Sequence, residues 1–310
     1  MWFKNISVYK LREKLTLSAD ELHKHLLEKA FSPCQGQEKS KLGWVAPLGP
    51  SSEQLVHQTD GSIMICARRQ DRILPAGAIK EQLEQKVFAL EQSDGRKVRR
   101  KEKRDIKDEI IFSLLPKALT RSTLLFAYFD TKANYLVINT GSANAAEAII
   151  SLIQKSLPEL EFNKISIRAI PKDLMTSWVS EGKVPGEFSL GNDCVFKDSQ
   201  DESRVIRYKN QNLNTESVRG LVKRGMRACS LRLIWDFGIE FTINENFQIT
   251  RVKYLDEIHD KVSDIDTESI EEQFDVDFGI MSLELNQLIP SLLKTFGEES
   301  NGVAMDKQQP

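Results

Sequence analysis

The stretch STLLFAYFDTKANYLVIN, residues 122–139, indicates how this chain folds. Apolar and aromatic residues fill both of its ends, while the TKAN segment at 131–134 has the polar, turn-forming character that separates strands. We interpret residues 122–130 and 135–139 as the two strands of a β-hairpin. A connection this short joins antiparallel neighbours, so the sheet that contains them is expected to be antiparallel.

Strands and helices alternate around this hairpin. Residues 2–11 are rich in β-branched and aromatic side chains, which predicts a strand. Ser18 and Glu21 have the spacing of a capping box, which predicts the start of a helix. An amphipathic helix is predicted over residues 144–157. The order of these elements predicts an α+β fold with mostly antiparallel sheets, packed helices and several lobes.

The middle of the chain is less regular. A helix opens at Pro75, and we interpret residues 76–115 as a basic helix that Gly95 bends or stops. The segment that starts at Leu174 is expected to be irregular, and glycines up to Gly191 mark a loop or lobe boundary. These signals predict three parts, listed by residue range: an N-terminal α+β region over 1–170, a C-terminal α+β region over 171–297, and a disordered tail over 298–310.

The C-terminal region carries its own strands and helices. Their predicted ranges are a strand at 205–208, a helix at 215–225, a hairpin of 229–237 with 240–243, a third strand at 247–254, and a long helix at 270–296. Pro290 is expected to kink or interrupt the long helix, because proline lacks the backbone N–H that a helix interior uses.

Composition indicates an ordinary globular protein with segregated charge. The chain has 310 residues, of which 40% are apolar and 28% are charged, and its formal net charge is −2. Residues 204–232 contain eight cations and one carboxylate, whereas residues 256–310 contain 14 acids and three bases. Such segregation favours an anion-binding face and a separate acidic lobe.

The cysteine pattern bears on the cellular compartment. The four cysteines are scattered and form no CxxC pair; they are Cys34, Cys66, Cys194 and Cys229. This pattern is typical of reduced, buried thiols in a cytosolic protein. No segment is long and apolar enough to serve as a signal peptide or a membrane span. We therefore expect a soluble cytoplasmic protein without membrane contact.

The sharpest functional signal is the segment RKVRRKEKRDIK at residues 96–107, in which eight of twelve residues are basic. These eight are Arg96, Lys97, Arg99, Arg100, Lys101, Lys103, Arg104 and Lys107. Helical spacing aligns five of them on one stripe, namely Arg96, Arg100, Lys103, Arg104 and Lys107. Like charges at this spacing repel each other, and a nucleic-acid backbone relieves the repulsion. The alternative interpretation is a solvated helix face.

A second basic cluster lies in the C-terminal region. Its candidate DNA-binding residues are Arg204, Arg207, Lys209, Gln211, Arg219, Lys223 and Arg224. Basic, amide and aromatic groups together can contact phosphate, sugar or base edges. The alternative here is an exposed loop without a partner. Two separate cationic clusters favour a nucleic-acid surface more than either cluster does alone.

Signatures of catalysis are missing from the sequence. It contains no GxxxxGK[ST] phosphate loop, HExxH, GxSxG or GxGxxG motif, and its four histidines are isolated. We therefore predict no catalytic residues, no metal site and no cofactor. One enzymatic alternative stays open, a Mg²⁺-dependent nuclease that uses the acidic lobe, with carboxylates at Asp256, Asp260, Asp264, Asp266, Asp275 and Asp277. The other interpretation of these carboxylates is a solvated acidic surface.

Several blocks of sequence together resemble the recombination-associated RdgC family of proteobacteria. In chain order the blocks are WFKNISVYKL (2–11), FSPCQGQ (31–37), KLGWVAPLG (41–49), ICARRQDRILPAGAIK (65–80), KDEIIFSLLPKAL (107–119), VIRYKNQNL (205–213) and EEQFDVDFGIMSLELNQLI (271–289). The resemblance extends over essentially the whole chain.

This resemblance implies more than the residues alone predict. It implies a ring-shaped homodimer that encircles double-stranded DNA without marked sequence preference, has no enzymatic activity, and restrains the RecA recombinase. Single-stranded DNA is a second candidate ligand, and the expected location is the nucleoid. The resemblance places residues 96–107 and the finger at 207–211 near the DNA path. It also places Leu119 at a small dimer contact that opens as a gate.

Overall fold

The protein is an α+β structure, and a computed structural model describes its residues 1–165 and 167–297. The tail predicted to be disordered, 298–310, lies outside the described residues. In chain order the strands are β1 (Ser7–Leu11), β2 (Ser40–Val45), β3 (Val56–Thr59), β4 (Ser62–Arg72), β5 (Thr120–Asp130), β6 (Tyr135–Ile138), β7 (Phe162–Lys164), β8 (Phe188–Asp198), β9 (Val205–Tyr208), β10 (Met226–Trp235), β11 (Ile239–Asn244) and β12 (Ile249–Tyr254).

The helices alternate with these strands. They are α1 (Ala19–Leu27), α2 (Ala76–Asp94), α3 (Arg100–Leu114), α4 (Ala143–Ser156), α5 (Pro171–Glu181), α6 (Glu216–Lys223), α7 (Asp256–Ser263) and α8 (Ile270–Phe296). A short 3-10 turn, Leu115–Lys117, follows α3 directly. The predicted strand at 2–11 is shorter than expected, because only its second half pairs as β1.

The strands form two antiparallel sheets. The larger has the order β2-β4-β5-β6-β1-β7, with β3 beside β4, and the smaller has the order β12-β11-β10-β8-β9. The predicted hairpin is confirmed as β5–β6, in which Asp130 pairs with Tyr135. A carboxylate oxygen of Asp130 accepts the backbone N–H groups of Lys132 and Ala133, both at 2.9 Å. Asn134 then takes a left-handed φ of 65°, which completes the turn.

The chain divides into two compact units. The first contains Met1–Ala19, His57–Met64 and the chain from Ala127 onward. The second contains Asp20–Val56 and Ile65–Phe126. Each unit is therefore assembled from segments that are far apart in sequence.

The core of the first unit joins β5 and α8. Tyr128 is fully buried, its ring lies 5.9 Å from that of Phe278, and its hydroxyl donates to Asn286 Oδ1 at 2.9 Å. The helix predicted at 270–296 is confirmed with the same bounds. The helix is not interrupted at Pro290, since α8 remains helical through that residue to Phe296, and the other expected outcome, a kink, stays a prediction.

The smaller sheet belongs to the first unit and carries α5 against β10. The hydroxyl of Thr176 accepts the buried backbone N–H of Ala228 at 2.9 Å. The irregular stretch expected from Leu174 is wrong, because this segment lies within α5, which begins with Pro171 at a position that suits proline. The loop expected at Gly191 is wrong too, since that glycine lies inside β8, where a Cβ atom would come within 2.9 Å of the Arg232 side chain.

The second unit contains a pair of packed helices. Buried Ile79 and Leu83 of α2 share a hydrophobic cluster with Ile106 and Ile110 of α3. The basic helix predicted over 76–115 is two helices, because Gly95 stops the first of them, which is one of the two outcomes expected for this glycine. Gly95 ends α2 with a left-handed φ of 63°, which glycine adopts without steric cost.

Candidate nucleic-acid interface

The connection between α2 and α3 positions the first basic cluster. The backbone N–H of Val98 donates to Glu91 Oε1 at 2.9 Å, and the Val98 side chain packs against the shared cluster of the two helices. The chain therefore reverses over 95–99 and enters α3 at Arg100. Burial of Ile106 and Ile110 then fixes which side of α3 faces the protein.

A stripe of cations follows the outer side of α3. We call the exposed side chains of Arg100, Lys103, Arg104 and Lys107 the α3 stripe. They fall at helical positions i, i+3, i+4 and i+7, so they share one face. Within the residues that the structure describes, none of the four forms an ion pair. Their positive charge is therefore available to an external anion.

The prediction that Arg96 belongs to the stripe of five cations is wrong. Arg96 precedes α3, and its two terminal nitrogens donate to the Glu102 carboxylate at 2.9 Å each, with Asp94 a further 3.5 Å contact. The hydrogen bonds from Arg96 hold the pKa of the Glu102 carboxyl below its usual value. Glu102 also accepts the backbone N–H of Arg99 at 3.4 Å. The charge of Arg96 is therefore compensated by carboxylates of the same chain.

The remaining cations of this segment are exposed. Lys97, Arg99 and Lys101 have no ion pair among the described residues. Several of these cations lie at the beginning of α3, where the helix dipole is positive and disfavours them by about 0.3–1 kcal/mol each. A bound anion would stabilise both the side chains and the free backbone N–H groups of this first turn.

The second basic cluster, in the first unit, is partly neutralised. Arg204 contacts two carboxylates, Asp198 at 3.6 Å and Asp201 at 3.2 Å. Arg219 donates to the side-chain oxygen of Asn214. Both of these predicted DNA-binding residues therefore already contact acceptors within the protein, but only the charge of Arg204 is compensated, because Asn214 is neutral.

The finger at 207–211 is held by β8. The backbone N–H of Asn210 donates to Asp193 Oδ1 at 2.8 Å, and that of Gln211 donates to the Asn192 carbonyl at 2.9 Å. Arg207 and Lys209 are exposed and have no ion pair among the described residues. The finger therefore has a fixed backbone and two available cations.

The helix α6 itself explains why two cations, Lys223 and Arg224, lie at its C-terminal end. Both are exposed at the C-terminal end of α6, where the helix dipole is negative and stabilises positive side chains. Their presence there requires no ligand. They remain candidates for DNA contact, but with weaker support than the α3 stripe.

Leu119 has an unusually exposed apolar side chain, with 79% of its surface accessible. Its carbonyl oxygen accepts the backbone N–H of Ile73 at 2.8 Å, which holds the segment against β4. An apolar side chain presented on a fixed backbone suits a contact with another molecule.

Two acidic residues of the C-terminal region are engaged in separate ion pairs. Asp275 pairs with His57 at 2.9 Å, and Asp277 pairs with the amino group of Met1 at 2.7 Å. Among residues 1–165 and 167–297, no three His, Cys, Asp or Glu side chains lie together in a way that could hold a metal ion. In the same ranges no helix has both the length and the hydropathy needed to cross a bilayer.

Sequence reasoning missed the role of Glu102. Its separation from Arg96, six residues, is not a helical neighbour spacing, so the pair depends on the break at Gly95. The available signal was that Glu102 is the first acid after the Gly95 break and lies three residues after Arg99, as in a capping box.

Together these features define an α+β protein with two antiparallel sheets and an exposed, unpaired cationic helix face. Comparison with known proteins then narrows the class. Residues 1–299 match the family model described as "Putative exonuclease, RdgC". The chain belongs to this RdgC family, whose members are recombination-associated proteins.

The similarity to individual members extends over nearly the whole chain. Proteins named "Recombination-associated protein RdgC" from Psychromonas ingrahamii and Proteus mirabilis are 36% and 35% identical to it over 97% of its length. The protein of that name from Salmonella paratyphi B is 37% identical over 97% of this chain. The matches cover 100%, 99% and 99% of these three relatives.

Proposed function

We propose that this protein binds double-stranded DNA through its backbone phosphates, without catalysis and largely without sequence preference. The observation that carries the proposal is the α3 stripe, whose exposed cations have no ion-pair partner among the described residues. Lysine and arginine contacts to phosphate provide affinity but no sequence information. Single-stranded DNA has the same phosphate chemistry and is a second ligand under this proposal.

The proposal includes a role in controlling recombination. The relatives carry the name "Recombination-associated protein", which supports a function on DNA that is being recombined. We infer that this chain acts in the nucleoid, where its occupancy of duplex DNA restrains RecA. It does so as a ring-shaped homodimer, in which Leu119 forms the smaller contact between subunits.

A titration of DNA binding against salt tests the proposal. Each neutralised phosphate contributes about −0.9 to the slope of log K against log salt, so four stripe contacts would give roughly −4. Linear duplexes of unrelated sequence should bind with similar affinity and slope. A closed circular duplex should bind too, but more slowly if a ring must open. No DNA binding at low salt would refute the proposal and favour an acidic protein partner.

The competing function is a Mg²⁺-dependent nuclease, which the description of the matching family model favours. The carboxylates of Asp275 and Asp277 would then have to leave their present partners to hold a metal. Incubating the purified protein and Mg²⁺ with plasmid, both linearised and closed circular, separates the two functions, because an exonuclease attacks only DNA that has ends. Strand cleavage that disappears in Asp275→Ala would overturn the non-enzymatic proposal. Intact plasmid over a long incubation would support it.

A further inference from the structure

A cavity of about 180 Å³ lies on the smaller sheet of the first unit. Its lining includes the polar residues Asp193, Arg207, Lys209, Ser230, Thr242 and Arg251. The register places Ser230 and Arg207 beside the same residue, Val195, so they share one face of the sheet. Because a water molecule occupies about 30 Å³ in the liquid, the cavity has room for a tetrahedral oxyanion.

Thr242 is the most informative residue of the lining. Only 4% of its surface is accessible, and its hydroxyl oxygen is buried without a hydrogen-bond partner among the described residues. Leaving a buried hydroxyl unpaired costs about 1–3 kcal/mol, and proteins rarely keep such a group. Thr242 lines the cavity, and rotation about its Cα–Cβ bond would exchange the methyl group and the hydroxyl, so that a ligand in the cavity would supply the missing hydrogen bond.

Arg251 reaches this cavity because β12 contains a β-bulge. Glu240 pairs with Lys253 and Thr242 pairs with Thr250, so two residues of β12 oppose one residue of β11 between these pairs. Arg251 takes a left-handed φ of 52° there, which residues other than glycine seldom adopt. Bulges re-aim side chains, and this one places Arg251 in the lining of the same cavity as Thr242.

The charge of the lining is positive. Arg207, Lys209 and Arg251 form no ion pair among the described residues. Asp193 is the one carboxylate in the lining, and its Oδ1 accepts the backbone N–H of Asn210 at 2.8 Å. Three cations against one engaged carboxylate make the cavity attractive to an anion.

We propose that this cavity is a binding site for one phosphate group, which Arg207 and Arg251 neutralise and the Thr242 hydroxyl contacts. The inference rests on the proposed DNA binding, because the phosphate group that occupies the site is one of the DNA backbone. It adds Thr242, Ser230 and Arg251 to the surface and extends that surface from the finger onto the sheet. A free phosphate ion has the same chemistry, so the test must separate the two sources.

Two variants and one control test the site on duplex DNA. Arg251→Gln should lower affinity at fixed salt about 5- to 30-fold and reduce the salt slope by about 0.9, because one phosphate contact is lost. Thr242→Val keeps the volume and removes only the hydroxyl, and it should lower affinity about 3- to 10-fold. Lys253→Gln removes the same charge two residues from Arg251 but outside the cavity lining, and its slope should stay that of the wild type.

Titration with inorganic phosphate distinguishes failure of the site from failure of DNA binding. Amide NMR signals of Thr242 and Arg251 should shift with phosphate in the wild type and not in Arg251→Gln. If DNA binds and both variants keep the wild-type affinity and slope, the inference is wrong while the proposed function stands. If the wild type binds no DNA but the phosphate shifts occur, the cavity binds a free anion and the DNA proposal fails.

Discussion

Arg72 Nη1 donates a hydrogen bond of 2.7 Å to the carbonyl oxygen of Leu115, at the point where α3 ends. The same guanidinium reaches the carbonyl oxygens of Pro116 at 3.3 Å, Ala118 at 3.4 Å and Cys34 at 3.2 Å. A cation at a helix C-terminus interacts favourably with the dipole and satisfies carbonyl groups that lack partners. Arg72, the last residue of β4, therefore fixes both the end of α3 and the segment that leads to Leu119.

Replacing Arg72 should destabilise the protein strongly. In Arg72→Met the alkyl stem remains while several charge-assisted hydrogen bonds to mostly half-buried carbonyls are lost, so the free energy of unfolding should fall by about 2–4 kcal/mol. Urea denaturation measures this loss. Arg69→Met is the matched control on the same strand, because Arg69 contacts only half-exposed Asp71 and should change stability by less than about 1 kcal/mol. Equal losses in the two variants would contradict the role of Arg72.

The α3 stripe should contribute affinity without selectivity. Arg100→Ala combined with Arg104→Ala should weaken binding to all DNA sequences alike and flatten the salt slope by about 1.8, since two phosphate contacts are removed. Lys86→Ala is a control on the same helix pair, because Lys86 is already paired with Glu109 at 3.1 Å. A double variant that folds normally and keeps the wild-type slope would show that the stripe is only a solvated face.

Leu119→Ser should affect assembly more than folding. The side chain is 79% exposed, so its loss should hardly change the stability of the subunit. If it is buried between subunits, the contact weakens by about 1–3 kcal/mol per subunit, and retention on closed circular DNA should shorten in a competitor chase. Sizing chromatography should still show a dimer through the larger contact. Leu27→Ser, at a half-exposed position on α1, is the control, and equal retention in both variants would remove Leu119 from the gate.

The pair of Arg232 and Glu240 on the smaller sheet should make stability depend on pH. The hydrogen bond from Arg232 holds the pKa of Glu240 below its usual value of 4.5, so the folded state favours the ionised carboxylate. This stabilisation is present above pH 4.5 and is lost as the pH falls further. Glu240→Gln should therefore unfold more easily at pH 7, by about 1–2 kcal/mol, and approach the wild type in acid.

Thermal unfolding followed from pH 7 to pH 3 checks this expectation. Glu159→Gln removes an exposed carboxylate that has no ion pair among the described residues, and it should track the wild type across the range. A Glu240→Gln variant whose deficit stays constant below pH 4.5 would show that the pair does not titrate as described.

The four cysteines should differ in reactivity toward an alkylating reagent. Burial raises the pKa of the Cys66 thiol to about 12 and also raises the pKa values of the Cys194 and Cys229 thiols. Thiolate is the reactive form, so these three should remain unmodified at pH 8 until the protein unfolds. Half-buried Cys34 should be modified first. Peptide mass mapping after a short exposure identifies the labelled residue, and early labelling of Cys66 would contradict its burial.

Local signals predicted much of the fold. The β5–β6 hairpin and α8 could be predicted because neighbouring residues determine them, through turn chemistry in one case and a long apolar stripe in the other. The helix α5 was missed, although Pro171 and Asp173 at its start are typical N-terminal residues. Its apolar segment is short, and the glycines that follow it led to the prediction of a loop.

The site was harder to predict because charge compensation is a tertiary property. The sequence identifies Arg96 and Arg204 as cations but not the carboxylates that they contact across a helix break and a strand pair. Arg251 was missed because a bulge redirects it, and no single residue type marks that bulge. Sequence patterns locate charge along the chain, whereas its availability depends on partners that folding brings together.

The burial of Phe3 has a consequence for synthesis on the ribosome. Its side chain is fully buried, and its backbone N–H reaches Met281 Sδ, 278 residues later in the chain, at 3.1 Å. At roughly 5–20 residues per second, Phe3 waits on the order of 15–60 seconds before Met281 is translated. The helix pair α2–α3 is complete long before then. Until then, a nascent chain exposes both its cationic helix and an apolar N-terminal segment that still lacks its partner. That apolar segment is a target for a chaperone during this period.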